Sequence, residues 1–140
     1  MISGDIKGLF IFGEDPVRTD PNTHHVIKSL ESLDFFAIDE LFMTETAKLA
    51  DVILPGRSYA EKEGTFSNTE RRVQRVRKAV EIEGDTKPDT WIFTEIMRRM
   101  GYPQPHLTPA QIMDEIASVT PSFAGISHER LDSEEVNGQG

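Results

Sequence analysis

Residues 42–74, FMTETAKLADVILPGRSYAEKEGTFSNTERRVQ, contain the feature that decides the fold. At the centre of this stretch, residues 52–54 form a short apolar run, Val-Ile-Leu, that Pro55 ends. Such a run is typical of a strand. Proline ends the strand because it has no N–H to donate to a neighbouring strand. Residues 9–12, which precede Gly13, and residues 35–38 are similar runs. We therefore predict three strands, the first of them buried on both faces.

Helical patterns separate the three strands. Between the first two, apolar residues recur at helical spacing, with Thr19 or Asp20 as the N-cap and Pro21 in the first turn. A shorter helix is predicted over 44–49, where Thr44 and Thr46 are candidate caps. Strand, helix, strand, helix, strand is the order of a parallel sheet with right-handed crossovers. The apolar stripe of the first helix consists of Val26, Ile27, Leu30 and Leu33.

The second half of the chain has a different character. Residues 56–82 are polar and rich in arginine, which predicts an irregular excursion with a hairpin. Asp89 is a suitable N-cap for a further helix that Gly101 ends, and residues 108–111 have the spacing of a capping box. We predict an α/β fold: a small parallel sheet flanked by helices in a Rossmann-like three-layer arrangement, an arginine-rich excursion and C-terminal helices. Residues 1–130 are predicted as one domain and 131–140 as a disordered tail.

Composition excludes several classes of function. The 140 residues carry a net charge of −9, which argues against binding to nucleic acid or to anionic membrane. No apolar run is long enough to cross a bilayer and no secretory signal is visible, so a cytoplasmic location is expected. With 0 cysteines, the chain cannot hold an iron–sulfur cluster by thiolates. The four histidines are adjacent or isolated in sequence, so we predict no metal site and no catalytic residue.

Polar residues follow the first two predicted strands. Gly13, Glu14 and Asp15 come directly after strand one, and ligands of parallel sheets bind beyond the carboxyl ends of the strands. A glycine there allows close approach of a phosphate or base, and an aspartate accepts two N–H bonds from guanine. Thr19 could donate to a phosphate or ribose. The alternative for this motif is a turn before a capped helix.

Strand two ends at a second acidic pair. Asp39 and Glu40 occupy the place where nucleotide-binding α/β domains put the carboxylate that binds ribose hydroxyls. The alternative is a solvated acidic loop, and the pattern does not decide which of the two residues would contact the ribose.

Three stretches together resemble one family. Residues 10–20, 41–72 and 88–102 are similar, in order and spacing, to parts of the molybdopterin oxidoreductases, and most of all to formate dehydrogenase catalytic subunits. The resemblance implies a central domain that holds the guanosine end of a bis(molybdopterin guanine dinucleotide) cofactor carrying molybdenum or tungsten. It further implies that the metal, the catalytic residues and an iron–sulfur cluster belong to other parts of a longer subunit, which works with electron-transfer subunits. A freestanding, non-catalytic module of the same fold is the alternative.

The resemblance also assigns roles to residues. It implies that Gly56 touches the cofactor, that Lys62 contacts the guanine dinucleotide, and that Asp89 binds the guanine base. Each role has a competitor: Lys62 lies between two glutamates that could pair with nearby arginines in a surface turn, and Asp89 could instead cap a helix. The predicted cofactor-binding residues are Gly13, Glu14, Asp15, Thr19, Asp39, Glu40, Gly56, Lys62 and Asp89.

Overall fold

A computed structural model describes residues 1–82 and 84–133 of the chain. The described residues form two compact units. The first contains residues 1–57 and 84–92, and the second contains residues 58–82 and 93–133. The residues that were predicted as one domain thus fall into two compact units. That residues 1–130 together bind the cofactor stays a prediction.

The first unit is built on a parallel sheet. Its strands are β1 (Gly8–Phe12), β2 (Phe35–Glu40) and β3 (Val52–Pro55), in the order β1-β2-β3. The register pairs Phe12 with Asp39 and Glu40 with Pro55, so the three carboxyl ends lie at one edge of the sheet. The predicted α/β class and its small parallel sheet are confirmed.

The helices of the first unit begin at other residues than predicted. A short helix, α1 (Pro16–Thr19), precedes α2 (Thr23–Glu31). The N-cap of α2 is Asn22, whose side chain accepts from His25 N at 3.2 Å. Thr19 and Asp20 are therefore not the cap of this helix; the Asp20 carboxylate accepts from Asn22 N at 2.7 Å and shapes the turn between the helices. A 3-10 helix (Ala47–Leu49) leads into β3.

Apolar side chains from the helices and the central strand form the core of this unit. Phe36 and Ile38 of β2 are at most 1% exposed, and the predicted stripe of α2 packs against them. The residues of β1 are half-buried or exposed, so the prediction that this strand is covered on both faces is wrong. The physical reason is topological, since β1 lies at the edge of the sheet. The fully buried members of the core are Val17, Leu30, Phe36, Ile38 and Ala47.

The second unit contains the predicted hairpin. Strands β4 (Gly64–Ser67) and β5 (Val73–Val76) pair antiparallel, and Arg71 in their connection adopts a left-handed conformation with φ 64°. Helix α4 (Pro109–Val119) begins with the predicted capping box. A short helix, α5 (His128–Asp132), follows a 3-10 turn (Pro121–Phe123), so the predicted disordered tail does not begin at residue 131. Its remaining part, 134–140, lies outside the described residues.

Helix α3 (Asp89–Arg99) runs from the first unit into the second. Ile92 N donates to the carbonyl oxygen of Pro88 at 3.1 Å, which makes Pro88 the N-cap and Asp89 the first helical residue. The prediction that Asp89 occupies the cap position is wrong. None of the helices in the described ranges is long and apolar enough to cross a membrane.

Candidate functional site

Backbone hydrogen bonds draw the loops after the three strands together. Gly13 N donates to Asp39 O at 2.9 Å, and Gly56 N donates to Glu40 O at 3.3 Å. The segment before α3 joins them, since Lys87 N donates to Pro55 O at 3.1 Å. The carboxyl ends of all three strands and the start of α3 therefore meet at one edge of the first unit.

Gly13 allows the turn that leaves β1. Its φ of 59° lies in the left-handed region, where residues with a side chain are strained. A Cβ at this position would have no atom within 4 Å, so conformation and not lack of space requires the glycine. Glu14, the next residue, is exposed.

Asp15 is bound to the connection between β2 and β3. Its Oδ1 accepts from Thr46 Oγ1 at 2.5 Å and from Thr46 N at 3.3 Å. Thr46 is fully buried, and its hydroxyl oxygen also accepts from Val17 N at 3.1 Å. This side chain therefore ties two loops together and does not cap the 3-10 helix that follows it, contrary to prediction. Thr44 does cap that helix by accepting from Ala47 N at 3.1 Å.

Thr19 lies one helical turn after Asp15. Its hydroxyl donates to the carbonyl oxygen of Asp15 at 3.1 Å, although the side chain is exposed. The described contact of Thr19 is thus within its own helix, and its binding to a phosphate or ribose stays a prediction.

Two carboxylates flank the backbone of Gly56. The residue is buried, and a Cβ built there would overlap Asp39 Oδ1 and lie 3.4 Å from Asp89 Oδ1. Side chains of any size are therefore excluded, and the backbone passes between acids from β2 and from the first turn of α3. Three predicted residues that are far apart in sequence meet at this one point.

The two acids after β2 differ in exposure. Asp39 is 2% exposed, whereas Glu40 is half-buried. Glu40 Oε1 accepts from Leu41 N at 2.7 Å, which holds the carboxylate at the start of the next loop. Neighbouring residues of a strand point to opposite faces of the sheet, so the two carboxylates lie on opposite faces.

Lys62 belongs to the second unit, so the structure describes it apart from the other eight predicted residues. It is half-buried in a turn that Glu61 holds by accepting from Ser58 N at 2.9 Å. This contact is with the backbone, so the pairing of the glutamates with nearby arginines and the contact of Lys62 with the cofactor both stay predictions.

The second unit contains a polar cluster that the sequence did not reveal. His128 is 9% exposed, and its Nε2 lies 2.7 Å from Thr65 Oγ1. Burial lowers the pKa of His128 below its ordinary value, and the positive charge of Arg75 lowers it further. Asp132 Oδ1 lies 3.4 Å from Arg75 Nε and 2.6 Å from a terminal nitrogen of Arg77. The partners are too far apart in sequence to form a recognisable motif.

Within the described ranges, no three His, Asp or Glu side chains converge as ligands of a metal ion. We call Asp39, Glu40, Gly56 and Asp89 the strand-end site; its side chains are carboxylates, which are hydrogen-bond acceptors. Carboxylates beside a close backbone fit the guanosine portion of a dinucleotide, whose base presents N–H donors and whose sugar presents hydroxyls.

The first unit is thus a small α/β domain with acidic residues at the carboxyl edge of its sheet, and comparison with known proteins identifies the family of the chain. Residues 1–99 match the family model described as molybdopterin oxidoreductase, so the chain belongs to the molybdopterin oxidoreductases. The family that the sequence motifs suggested is confirmed.

The curated relatives are formate dehydrogenase subunits. The chain is 51% identical, over 128 residues, to F420-dependent formate dehydrogenase 2 subunit alpha of Methanococcus maripaludis, a match that covers 90% of this chain and 19% of the relative. It is 47% identical, over 129 residues, to F420-dependent formate dehydrogenase subunit alpha of Methanocaldococcus jannaschii, covering 91% and 19%. The chain thus spans about a fifth of the length of these relatives.

A solved structure shares the fold. Acetylene hydratase from Pelobacter acetylenicus matches with a TM-score of 0.68 at 25% identity, over 89% of this chain and 17% of that protein. A similar fold therefore occurs as a small portion of a much larger chain.

Proposed function

We propose that this chain is the guanosine-binding part of a formate dehydrogenase-type catalytic subunit and holds the distal end of a molybdopterin guanine dinucleotide. The observation that carries the proposal is the convergence of Asp39, Gly56 and Asp89 at the carboxyl edge of the sheet. The family match and the formate dehydrogenase relatives supply the ligand class.

Asp89 is the residue proposed to bind the base. Guanine presents a ring N–H and an exocyclic amino group side by side, and a carboxylate can accept from both. Adenine presents an acceptor at the matching ring nitrogen, so the same carboxylate rejects it. Asp89 is half-buried at the start of α3, and its carboxylate lies close to Gly56 at the sheet edge where the ligand is proposed to bind.

Burial divides the remaining roles between the two acids of β2. Glu40 is half-buried and is proposed to accept from the ribose hydroxyls with the carboxylate oxygen that does not bind Leu41 N. Asp39, at 2% exposure, is proposed to shape the site by packing against Gly56. Gly13 would let the backbone approach the nucleotide closely, Glu14 would offer its main-chain N–H, and Asp15 would hold their loop in place through Thr46.

The rest of the cofactor belongs to the larger enzyme. When bound, the pterin-held molybdenum or tungsten supplies the two-electron chemistry, which for a formate dehydrogenase converts formate to carbon dioxide. This chain contributes position, because gripping the guanosine end restricts where the metal end can lie. The remaining domains of the parent subunit and its electron-transfer subunits are the proposed partners, and Lys62 is proposed to contact the dinucleotide.

Nucleotide titrations of the 140-residue chain test this proposal. GDP should shift the amide NMR signals of Gly13, Gly56 and Asp89, and ADP should shift them at least tenfold more weakly. Asp89→Asn should abolish this preference, since an amide cannot accept both guanine N–H bonds without placing its own NH2 group against one donor. Asp34→Asn is the matched control, because Asp34 is exposed and lies beside Lys7 at the amino end of β2. Equal shifts with GDP and ADP in the wild-type chain would contradict guanine recognition.

A further inference from the structure

Arg57 is a half-buried arginine without a described partner. It follows Gly56 directly, so its backbone adjoins the point where Asp39 and Asp89 meet. Its Nε is buried and has no hydrogen-bond partner among residues 1–82 and 84–133. Within the same ranges, its guanidinium group forms no ion pair with a carboxylate.

This arrangement is costly unless an acceptor arrives. The guanidinium group keeps its charge at all ordinary pH values, so it cannot become neutral as a buried lysine can. A buried donor that lacks an acceptor costs about 1–3 kcal/mol, and more when it is charged. Nearly all buried donors of folded proteins are satisfied, so an exception of this kind calls for a ligand or partner group.

A second donor without a described partner lies on the neighbouring segment. Thr86 Oγ1 is buried and has no hydrogen-bond partner in the described ranges. Thr86 precedes Lys87, whose N–H donates to Pro55 O, so its backbone runs beside the end of β3 that leads to Arg57. Both donors thus belong to the two segments that meet at this edge of the first unit.

The charge of the surrounding groups indicates what the donors would bind. Three carboxylates, those of Asp39, Glu40 and Asp89, belong to the same edge, and the whole chain carries a net charge of −9. A nucleotide diphosphate brings further negative charge, which acids alone would repel. A guanidinium group offers the planar, charge-assisted donors that phosphate oxygens accept.

We propose that Arg57, with the hydroxyl of Thr86, binds a phosphate group of the nucleotide whose base Asp89 holds. The inference rests on the proposed guanosine site and adds a phosphate subsite to it. Arg57 then sets the preference of the site for a phosphorylated guanosine over the free nucleoside.

Paired titrations of the 140-residue chain with guanosine and with GDP test this subsite. The wild-type chain should bind GDP roughly ten- to a hundredfold more tightly than guanosine, as expected for a charge-assisted contact. Arg57→Gln should remove this difference and leave the affinity for guanosine unchanged. Arg57→Lys should retain part of it, because a point charge cannot replace the planar fork. Arg18→Gln, on exposed α1, is the control and should behave as the wild type.

The outcomes separate the two proposals. A preference for GDP that survives in folded Arg57→Gln and Arg57→Lys chains overturns the phosphate subsite and leaves the guanosine site standing. Binding of neither ligand to the wild-type chain overturns both. Thr86→Val provides a second measurement, since loss of its hydroxyl should weaken GDP binding several-fold and leave guanosine binding unchanged.

Discussion

The hydroxyl group of Thr65 lies 2.7 Å from Nε2 of His128, although 63 residues separate them in the chain. This contact joins helix α5 to strand β4 of the second unit. Asp132, at the end of the same helix, pairs with Arg75 and Arg77 of the hairpin region. A five-residue helix has little stability of its own, so these side-chain contacts account for its position.

Protonation of His128 at low pH should destabilise the second unit. Its folded-state pKa lies below 6.5, because burial and Arg75 outweigh the opposing effects of Asp132, Glu63 and Asp114. Just below pH 6.5 the unfolded chain therefore binds more protons than the folded chain does. The free energy of unfolding consequently falls as the pH is lowered through this range. Urea denaturation of the second unit between pH 7.5 and 5 should show this loss.

The matched variants for this prediction are His128→Gln and His24→Gln. The first should flatten the histidine-dependent part of the pH profile, and the second, at an exposed position of α2, should keep it. Identical profiles for wild type and His128→Gln would show that another group controls the transition.

Asp132→Asn should release helix α5 from the hairpin. The substitution removes one charge from the pairs with Arg75 and Arg77, of which the Arg75 side chain is 11% exposed. We expect a loss of about 1–2 kcal/mol in unfolding free energy and faster amide exchange in 128–132. Glu129→Gln, on an exposed position of the same helix, should change neither quantity; comparable exchange in both variants counts against the role of the pairs.

Thr46→Val should destabilise the first unit. Valine keeps the shape of threonine but removes the hydroxyl that binds Asp15 and Val17, in a position with no exposed surface. The expected cost is about 2–3 kcal/mol, because the half-buried Asp15 carboxylate and the buried main-chain N–H of Val17 each lose a partner. Chemical denaturation measures it, and Thr46→Ser should recover most of it. A valine variant as stable as the wild type would falsify the structural role of this hydroxyl.

Gly56→Ala should disturb the strand-end site. The added methyl group overlaps Asp39 Oδ1, so either that carboxylate or the backbone must move. We expect a loss of about 1–3 kcal/mol in stability together with weaker GDP binding. Gly8→Ala is the control, since its Cβ would meet only Phe35 O at 3.8 Å. Equal stability of the two variants, with unchanged affinity for GDP, would show that the close approach at Gly56 is dispensable.

Much of the first unit could be predicted from local patterns. The strands follow from apolar runs ended by glycine or proline, and the stripe of α2 follows from its period. The edge position of β1 could not be predicted, because its apolar sequence resembles that of a central strand and only the sheet order exposes it. The cap of α2 was misplaced because Asp20, Asn22 and Thr23 all suit a helix start, and tertiary contacts decide between them.

The acidic residues of the candidate site could be predicted from the sequence, but the residues that hold its loops in place could not. Asp39, Gly56 and Asp89 were found by position and resemblance, and the structure brings them together. Thr46 was interpreted as a cap, since its bond to Asp15 spans 31 residues and leaves no local signal. Arg57 and His128 also went unrecognised, because they stand out only through the burial of their side chains, and that burial depends on the whole fold.

The first unit is interrupted by the hairpin segment, and this has a consequence for synthesis. The edge of β3 acquires its bond from Lys87 only after the segment between them has left the ribosome. The carboxyl edge of the sheet is therefore incomplete in a nascent chain until residues 84–92 have been synthesised. The proposed nucleotide site would therefore form only after this stretch has been synthesised.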